Sequence, residues 1–293
     1  MIDTDQLQAL EQGLSIDAQH FIARNADGHP KKATTIIVAD LEFIWCRESH
    51  KRFVGDKVAS IPIRWPFDRV AAACWANLTF YPDEPAPLVE DATILSADEH
   101  DEAEIVACLF EALHADPSAR LVMWGSEQRD MPVLRRAAMM HELALPAQLL
   151  DTSPSARGRI DLCREITGLG EKVKLAELAA SFGIPAKPVR PEEIGNMAEH
   201  GHWKPVREQC AADVAVTALL AARYLKTLGQ GGRDGVPTDA AIAEAFAKAF
   251  PASGFATGTL AAWARGRIAR SKLKGLCTLQ RDFRDMKEEE KMT

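Results

Sequence analysis

Residues 34–42 read Thr-Thr-Ile-Ile-Val-Ala-Asp-Leu-Glu, an apolar run that ends in two carboxylates. The short length and the β-branched residues of this run are typical of a buried strand rather than a helix. Because side chains alternate across a strand, Asp40 and Glu42 should lie on the same face. Paired carboxylates repel one another unless a cation lies between them, and such oxygen ligands suit Mg²⁺ or Mn²⁺. The spacing alone favours two solvated residues at a strand end.

Strand and helix patterns alternate along the chain that follows. A second strand is predicted at Arg69 to Phe80, a helix at Asp98 to His114, and a third strand at Leu121 to Trp124. Three further helices are predicted at Met131 to Leu143, Leu175 to Phe182 and Val206 to Leu228. This order predicts an α/β fold in which helices pack on a sheet.

The chain divides by composition into three parts, an N-terminal arm (residues 1–33), a domain (residues 34–228) and a C-terminal extension (residues 229–293). Four glycines in residues 229–235 indicate a linker at the start of the extension. The rest of the extension is predicted to be helical and basic, with Arg265, Arg267, Arg270, Lys272 and Lys274. These side chains could form a cationic face that contacts phosphates, or could simply be solvated.

Composition and charge exclude several classes of protein. The chain has 293 residues, 47% of them apolar and 26% charged, with a net charge of -7, which is typical of a folded globular protein rather than a disordered one. Its six cysteines lie tens of residues apart, without zinc-finger spacing, and are interpreted as reduced. We find neither a signal peptide nor an apolar run near 18 residues, so we expect a cytoplasmic protein without membrane contact.

Two further aspartates lie where a site could be completed. Asp130 follows the predicted strand at Leu121 to Trp124 and precedes Met131-Pro132, where a proline suits the first turn of a helix. Asp213 lies inside an alanine-rich helix. Taken singly, Asp130 could cap a helix and Asp213 could face solvent.

The joint pattern of these carboxylates resembles the 3'-5' exonucleases of the DEDD group, which have a ribonuclease H-like fold. The sequence is similar to the three family motifs at VADLEFIW (38–45), WGSEQRDMPVLRRAA (124–138) and QCAADVAVTALL (209–220). Within that group, residues 159–162, 174–178 and 182–185 resemble the predicted exonucleases related to the proofreading domain of family B DNA polymerases. The resemblance covers residues 34–228 and implies a mixed sheet flanked by helices.

The resemblance also implies a site and an activity. Asp40, Glu42, Asp130 and Asp213 would hold two divalent ions, Mg²⁺ or Mn²⁺. Such a pair of ions can stabilise both the attacking and the leaving oxygen when a phosphodiester is hydrolysed. The implied reaction is removal of nucleotides from the 3' end of single-stranded DNA or RNA. The implied partner is therefore single-stranded nucleic acid or a 3' end.

The sequence departs from the family pattern at two places. Family members usually have a tyrosine four residues, or a histidine five residues, before the last aspartate, where this chain has Gln209 and Glu208. Glutamine is not a base at neutral pH, but its amide can hold a water, so Gln209 is the predicted water-positioning residue. In the second motif, Arg129 stands beside Asp130 and could form an ion pair or contact a substrate phosphate. These departures leave two alternatives open, a nucleic-acid-binding module with impaired or absent catalysis and a small-molecule phosphoesterase.

Four other side chains have both a functional and a structural interpretation. His200 and His202 precede the third motif and could supply a base, or could be surface residues. Trp45 follows the first motif and could stack on a terminal base, or belong to the core. Asp161 resembles a family aspartate, but an aspartate before a helical segment is more often a helix cap.

Overall fold

The computed structural model describes residues 33–55, 64–90, 92–153, 155–186, 191–231 and 234–273. The predicted N-terminal arm, apart from Ala33, lies outside the described residues. So do Lys274 and the rest of the C-terminal extension beyond Leu273.

Six strands form one mixed sheet, which confirms the predicted α/β architecture. They are β1 (Thr34–Trp45), β2 (Asp68–Phe80), β3 (Leu88–Val89), β4 (Thr93–Ser96), β5 (Arg120–Met123) and β6 (Arg159–Asp161). The strand order is β3-β2-β1-β5-β6, and β4 pairs with β2 beside β3. The pairings of β2 with β1, β3 and β4 are antiparallel, whereas β1–β5 and β5–β6 are parallel.

Helices flank the sheet, as predicted. Those described are α1 (Arg47–Val54), α2 (Glu102–Ala115), α3 (Asp130–His141), α4 (Ala147–Leu150), α5 (Leu162–Thr167), α6 (Leu175–Ser181), α7 (Pro191–Glu199), α8 (Trp203–Thr227) and α9 (Gly235–Ala249). A π-helical turn, Phe255–Leu260, then continues as an α-helix over residues 261–273. None of the described helices has the length and apolar character needed to cross a membrane.

The alternation of side chains along β1 divides the core into two layers. Ile36 and Val38 point to one face of the sheet and belong to a buried cluster with α8 and α9. Ile37 and Leu41 point to the other face and pack with α2 and α3. The even-numbered face of β1 therefore faces α8, and Asp40 and Glu42 continue it.

Strand β1 is longer than the sequence predicted. We expected it to end at Asp40-Leu41-Glu42, but it continues to Trp45. The pairing with β2 shifts after Glu42, since Glu42 pairs with Ala72 and Phe43 with Val70, so a β-bulge follows the two carboxylates. Bulges redirect side chains and are frequent next to active sites.

The C-terminal helices pack on the same core as α8. Phe246 of α9 and Leu260 of the π-helical turn are fully buried in the cluster that includes α8. Asp239, also fully buried, forms ion pairs with Arg223 of α8 at 2.8 Å and with Arg267 at 3.1 Å. One arginine of the predicted basic face is thus engaged within the protein. The division at residue 229 stays a prediction.

Candidate active site

Three carboxylates converge where β1 passes beneath α8. One ligand oxygen from each of Asp40, Glu42 and Asp213 lies within 4.8 Å of the others. Asp40 and Glu42 share a face of β1 as the strand period predicts. Asp213 is on α8, and one turn earlier the Cys210 thiol lies 3.4 Å from the backbone oxygen of Asp40. The packing of α8 on β1 therefore brings the three carboxylates together.

Asp130 reaches the same place from the neighbouring strand. Strand β5 runs parallel to β1, with Val122 opposite Val38, so both strands end at the same edge of the sheet. The chain then turns through Gly125, which has a φ of 66°, a left-handed conformation that suits glycine. Asp130 begins α3 directly after this turn and lines the cavity that contains the other three carboxylates.

Two buried interactions hold the turn that carries Asp130. The Asp161 carboxylate accepts hydrogen bonds from the backbone N–H groups of Gly125 at 2.9 Å and Glu127 at 3.2 Å. It also accepts one from Arg164, at the start of α5, so the helix-cap interpretation of Asp161 is confirmed. Glu127 pairs with the buried Arg159 at 2.7 Å. Asp161 and Glu127 thus stabilise the turn that positions Asp130.

The cluster is electrostatically costly without a cation. Burial, and then the charges of Asp213, Glu42 and Asp130, hold the pKa of Asp40 well above its usual value. Burial and the charges of Asp213 and Asp130 raise the pKa of Glu42 to about 8, against the lowering effect of Arg129. Burial raises the pKa of Asp130 to about 7. Grouped half-buried carboxylates of this kind need positive charge between them to remain ionised together.

The donor set fits a divalent cation. Carboxylate oxygens are the ligands that Mg²⁺ and Mn²⁺ prefer. Asp40, Glu42 and Asp213 form the only group of three or more potential metal ligands within this ligand distance in the described part of the chain. This acidic triad could therefore bind metal, with Asp130 on the wall of the same cavity.

Gln209 lies one helical turn before Asp213 and contacts it directly. Its Nε2 donates a hydrogen bond to Asp213 Oδ2 at 2.7 Å. The side chain is only 4% exposed, and its Oε1 has no partner among the described residues. Because the amide nitrogen faces Asp213, the amide oxygen remains as an unused acceptor in a residue that lines the cavity.

Glu208 has a different role from the family histidine at that position. Its Oε1 accepts hydrogen bonds from the backbone N–H of Phe255 at 3.0 Å and from the hydroxyl of Ser253 at 3.4 Å. These groups lie at the start of the C-terminal helical segment. Glu208 therefore fastens that segment to α8, a contact that the sequence analysis did not predict.

The cavity has a volume of about 640 Å³ and contains aromatic as well as acidic side chains. Trp45 is 47% exposed and lines it together with Trp124, so the core interpretation of Trp45 is wrong. His200 and His202 are exposed and are not among the residues that line the cavity. The structure therefore does not bring a histidine from that loop to the site.

Two arginines line the cavity within the described residues. Arg47, at the start of α1, pairs with Glu199 at the end of α7 at 2.6 Å. Arg129 donates from Nε to the buried carboxylate of Asp68 at 2.7 Å, and its guanidinium lies 4.6 Å from the ring centroid of Phe43. The sequence left an ion pair and a phosphate contact open for Arg129, and the structure shows an ion pair with a partner that no local pattern indicated.

The mixed sheet of parallel and antiparallel strands, the flanking helices and the carboxylates between β1 and α8 agree with the ribonuclease H-like fold that the sequence motifs imply. The profile of a family described as predicted 3'-5' exonuclease related to the exonuclease domain of PolB matches residues 63–244. The chain belongs to this family, which confirms the resemblance in the sequence motifs. Asp130, Gln209 and Asp213 lie inside the matched range, whereas Asp40 and Glu42 precede it.

Solved structures of two kinds are similar to this chain. The family B DNA polymerase from the hyperthermophilic archaeon Pyrobaculum calidifontis has 15% sequence identity and a TM-score of 0.47, over 81% of this chain and 29% of the polymerase. Exonuclease I of E. coli, in complex with a dT13 oligonucleotide, has 15% identity and a TM-score of 0.40, over 66% of this chain and 41% of its own. The chain thus spans well under half the length of both proteins. No curated protein sequence matches it.

Proposed function

We propose that this protein is a metal-dependent exonuclease that removes nucleotides from the 3' end of single-stranded DNA or RNA. The observation that carries the proposal is the convergence of Asp40, Glu42 and Asp213 within ligand distance in a cavity also lined by Asp130. Membership of the exonuclease family supports the reaction class. The four carboxylates are the proposed ligands of two ions, Mg²⁺ or Mn²⁺.

The chemistry divides between the cations and the side chains of the chain. Divalent ions held by the carboxylates would stabilise negative charge on the attacking and leaving oxygens and lower the pKa of water. Gln209 cannot take a proton, but its Nε2 holds the Asp213 carboxylate. Its Oε1 faces away from Asp213, has no partner among the described residues and can accept a hydrogen bond from a water on that side. The cavity volume of about 640 Å³ lies in the range of small-molecule ligand sites.

Aromatic side chains in the cavity provide a surface on which bases can stack. Trp45 and Trp124 line the cavity next to the carboxylates, and Trp45 is half exposed. Stacking on aromatic rings tolerates any base sequence, because every base has a π-face. This arrangement suits an enzyme that acts on unpaired ends rather than on one sequence.

A second candidate function is binding of nucleic acid without rapid hydrolysis. The observation that favours it is that neither helix position that supplies a base in the family does so here. Gln209 is not basic, and Glu208 is hydrogen-bonded to the start of the C-terminal helical segment. Such a protein would keep the cavity and the cation site but hold a strand intact.

The deciding experiment is digestion of labelled single-stranded DNA and RNA with Mg²⁺ or Mn²⁺. For a 3'-5' exonuclease we expect a 5'-labelled strand to give a ladder that shortens from the 3' end and to stay intact in chelator. Replacing Asp40 or Asp130 with asparagine should lower the rate by several orders of magnitude, because each replacement removes a ligand charge. A bound but intact strand would instead support the second candidate.

A matched control separates the site from general effects of charge. Asp83 lies in an exposed turn after β2, outside the cavity, so Asp83→Asn makes the same chemical change away from the site. We expect this variant to digest like the unmodified protein. Full digestion by Asp40→Asn and Asp130→Asn, or digestion that persists in chelator, would show that the carboxylate cluster is not the active site.

A further inference from the structure

Arg129 combines a buried anchor with an exposed charge. Its partner Asp68, at the start of β2, has a side chain that is 4% exposed, whereas the Arg129 side chain is 45% exposed. Many ion pairs lie with both partners on the surface, and a buried carboxylate requires a charged partner that is hydrogen-bonded to it. This pair is asymmetric, with the carboxylate inside the protein and the arginine at the cavity.

Two contacts fix the plane of the Arg129 guanidinium. Nε donates to Asp68 at 2.7 Å, and the face of the guanidinium lies over the ring of Phe43, 4.6 Å from its centroid. Phe43 directly follows Glu42 on β1 and is itself buried. Because one edge and one face of the guanidinium are held, its terminal nitrogens point in a fixed direction.

The terminal nitrogens Nη1 and Nη2 of Arg129 carry the other four N–H groups. Arginine has five donors, and in the described part of the chain only the Nε of Arg129 has a hydrogen-bond partner. The side chain lines the cavity beside Asp130, and its charge lowers the pKa of both Glu42 and Asp130. The donors are therefore within electrostatic reach of the carboxylates.

We propose that Arg129 binds a phosphodiester group of the substrate strand, with Asp68 and Phe43 as its positioning residues. This inference rests on the proposed function, because it assigns a residue to the substrate of that site. Planar, paired N–H groups match phosphate oxygens, and charge-assisted bonds of this kind are strong. The other described arginine in the cavity, Arg47, is 71% exposed, and the side chain of its partner Glu199 is 26% exposed, against 4% for Asp68, so its anchor is less buried than that of Arg129.

The test measures binding separately from cleavage. Both proteins compared carry Asp213→Asn, which should slow digestion, and one also carries Arg129→Ala. Each is titrated with labelled single-stranded DNA in Mg²⁺, using strands in which one neutral methylphosphonate replaces a phosphodiester at successive positions from the 3' end. With Arg129 present, we expect one position to cost about tenfold in affinity, the size of a charged hydrogen bond. With Arg129→Ala, the unmodified strand should bind about tenfold more weakly, and that position should no longer matter.

Three further measurements distinguish a contact from a structural effect. Loss of one phosphate contact should reduce the slope of log affinity against log salt by about 0.7. Arg129→Lys keeps the charge but cannot bond Asp68 and a phosphate through one planar group, so it should recover only part of the affinity. Arg157, exposed in the loop before β6 and outside the cavity, provides the matched control Arg157→Ala, which should leave the slope and the methylphosphonate pattern unchanged.

Three outcomes of the titration separate the Arg129 contact from the proposed function. A methylphosphonate position that matters with Arg129 and not with Arg129→Ala supports the contact. An unchanged methylphosphonate pattern, with affinity reduced equally for all strands or not reduced at all, overturns it and leaves the proposed function in place. Failure of the Arg129-containing protein to bind any strand overturns the contact and the proposed function together.

Discussion

The side chains of Gln209 and Asp213 act as one hydrogen-bonded unit on the cavity side of α8. The 2.7 Å bond from Nε2 to Asp213 Oδ2 sets the orientation of the amide, because only its nitrogen can donate to a carboxylate. The amide oxygen must then face away from Asp213, and it is buried without a partner among the described residues. A buried acceptor without a partner is costly, so a water or substrate hydroxyl that bonds to it would be held firmly.

We predict that Gln209→Met lowers the rate of strand cleavage by about tenfold, at the low end of what a proton-transfer or positioning group contributes. Methionine has a similar length but neither holds Asp213 nor accepts a hydrogen bond from water. Gln209→Tyr restores the usual family residue and should raise the rate. Single-turnover cleavage of a labelled strand at fixed metal concentration measures both effects, with affinity measured in parallel.

Equal single-turnover rates for the three proteins would show that Gln209 is a bystander. A Gln209→Met variant that loses affinity but not rate would assign Gln209 to substrate binding instead. Thermal unfolding of each variant provides the control, because tyrosine is larger than glutamine and this position is 4% exposed.

The sequence predicts the carboxylates of the site better than it predicts the residues that hold the neighbouring side chains in place. Asp40 and Glu42 were expected on one face because the strand period is local, and the structure places both beside Asp213. Their roles as ligands stay a prediction. Asp68 lies 61 residues before Arg129, so no local pattern could reveal that it anchors this arginine.

At the scale of elements, α8 has three functions in the architecture. Its buried face completes the core against β1, its first half carries Gln209 and Asp213, and Glu208 receives the C-terminal helical segment. Glu208 and Gln209 are consecutive, so their side chains point to different sides of the helix. The attachment of the C-terminal segment is therefore built into the same turn as the site.

We predict that Glu208→Ala lowers the free energy of unfolding by about 1 kcal/mol, the typical loss when a helix N-terminus loses its capping acceptor. The carboxylate accepts from the Phe255 N–H and the Ser253 hydroxyl, and alanine leaves both without this acceptor. Urea unfolding monitored by circular dichroism measures the change. Glu208→Gln keeps an acceptor oxygen and should lose less.

The capping explanation is tested by adding Ser253→Ala to the unmodified protein and to the Glu208→Ala variant. If the two residues interact, the double variant should lose less than the sum of the single losses. Strict additivity, or a Glu208→Ala protein as stable as the original, would show that this contact does not hold the C-terminal segment.

Element boundaries follow from local sequence only where no distant partner intervenes. The expected end of β1 at Glu42 was wrong because β2 continues to pair as far as Trp45, opposite Asp68, after the bulge. The glycine-rich residues 229–235 predicted a linker, and α9 beyond them is packed on α8 through Phe246. Both outcomes depend on contacts between segments far apart in sequence.

At the scale of the whole molecule, the carboxylate cluster opposes folding stability. Asp40, Glu42 and Asp130 all have raised pKa values in the folded protein, with burial as the largest cause. An acid whose pKa is raised on folding binds its proton more tightly in the folded than in the unfolded chain. Stability therefore falls as pH rises from the unfolded pKa through the folded one.

We predict that the metal-free protein loses stability between about pH 4, where these acids titrate when unfolded, and about pH 8, where Glu42 titrates when folded. Each pKa unit corresponds to about 1.4 kcal/mol, so the decline should reach a few kcal/mol. Binding of Mn²⁺ or Mg²⁺ to the ionised carboxylates of the folded state should offset the decline, with a larger stabilisation at pH 8 than at pH 5. Thermal unfolding in chelator and in metal, across this pH range, measures both effects.

Glu42→Gln identifies the source of the pH dependence, because it removes one of the titrating groups and one ligand charge together. In chelator, this variant should be more stable than the unmodified protein at pH 8 and should show a shallower decline with pH. Its gain in stability from Mn²⁺ should also be smaller, since a proposed ligand is missing. A metal-free protein with equal stability at pH 5 and pH 8 would mean that burial and mutual repulsion do not raise the pKa values of these carboxylates in the folded chain. A Glu42→Gln variant with the original metal response would mean that Glu42 does not hold the cation.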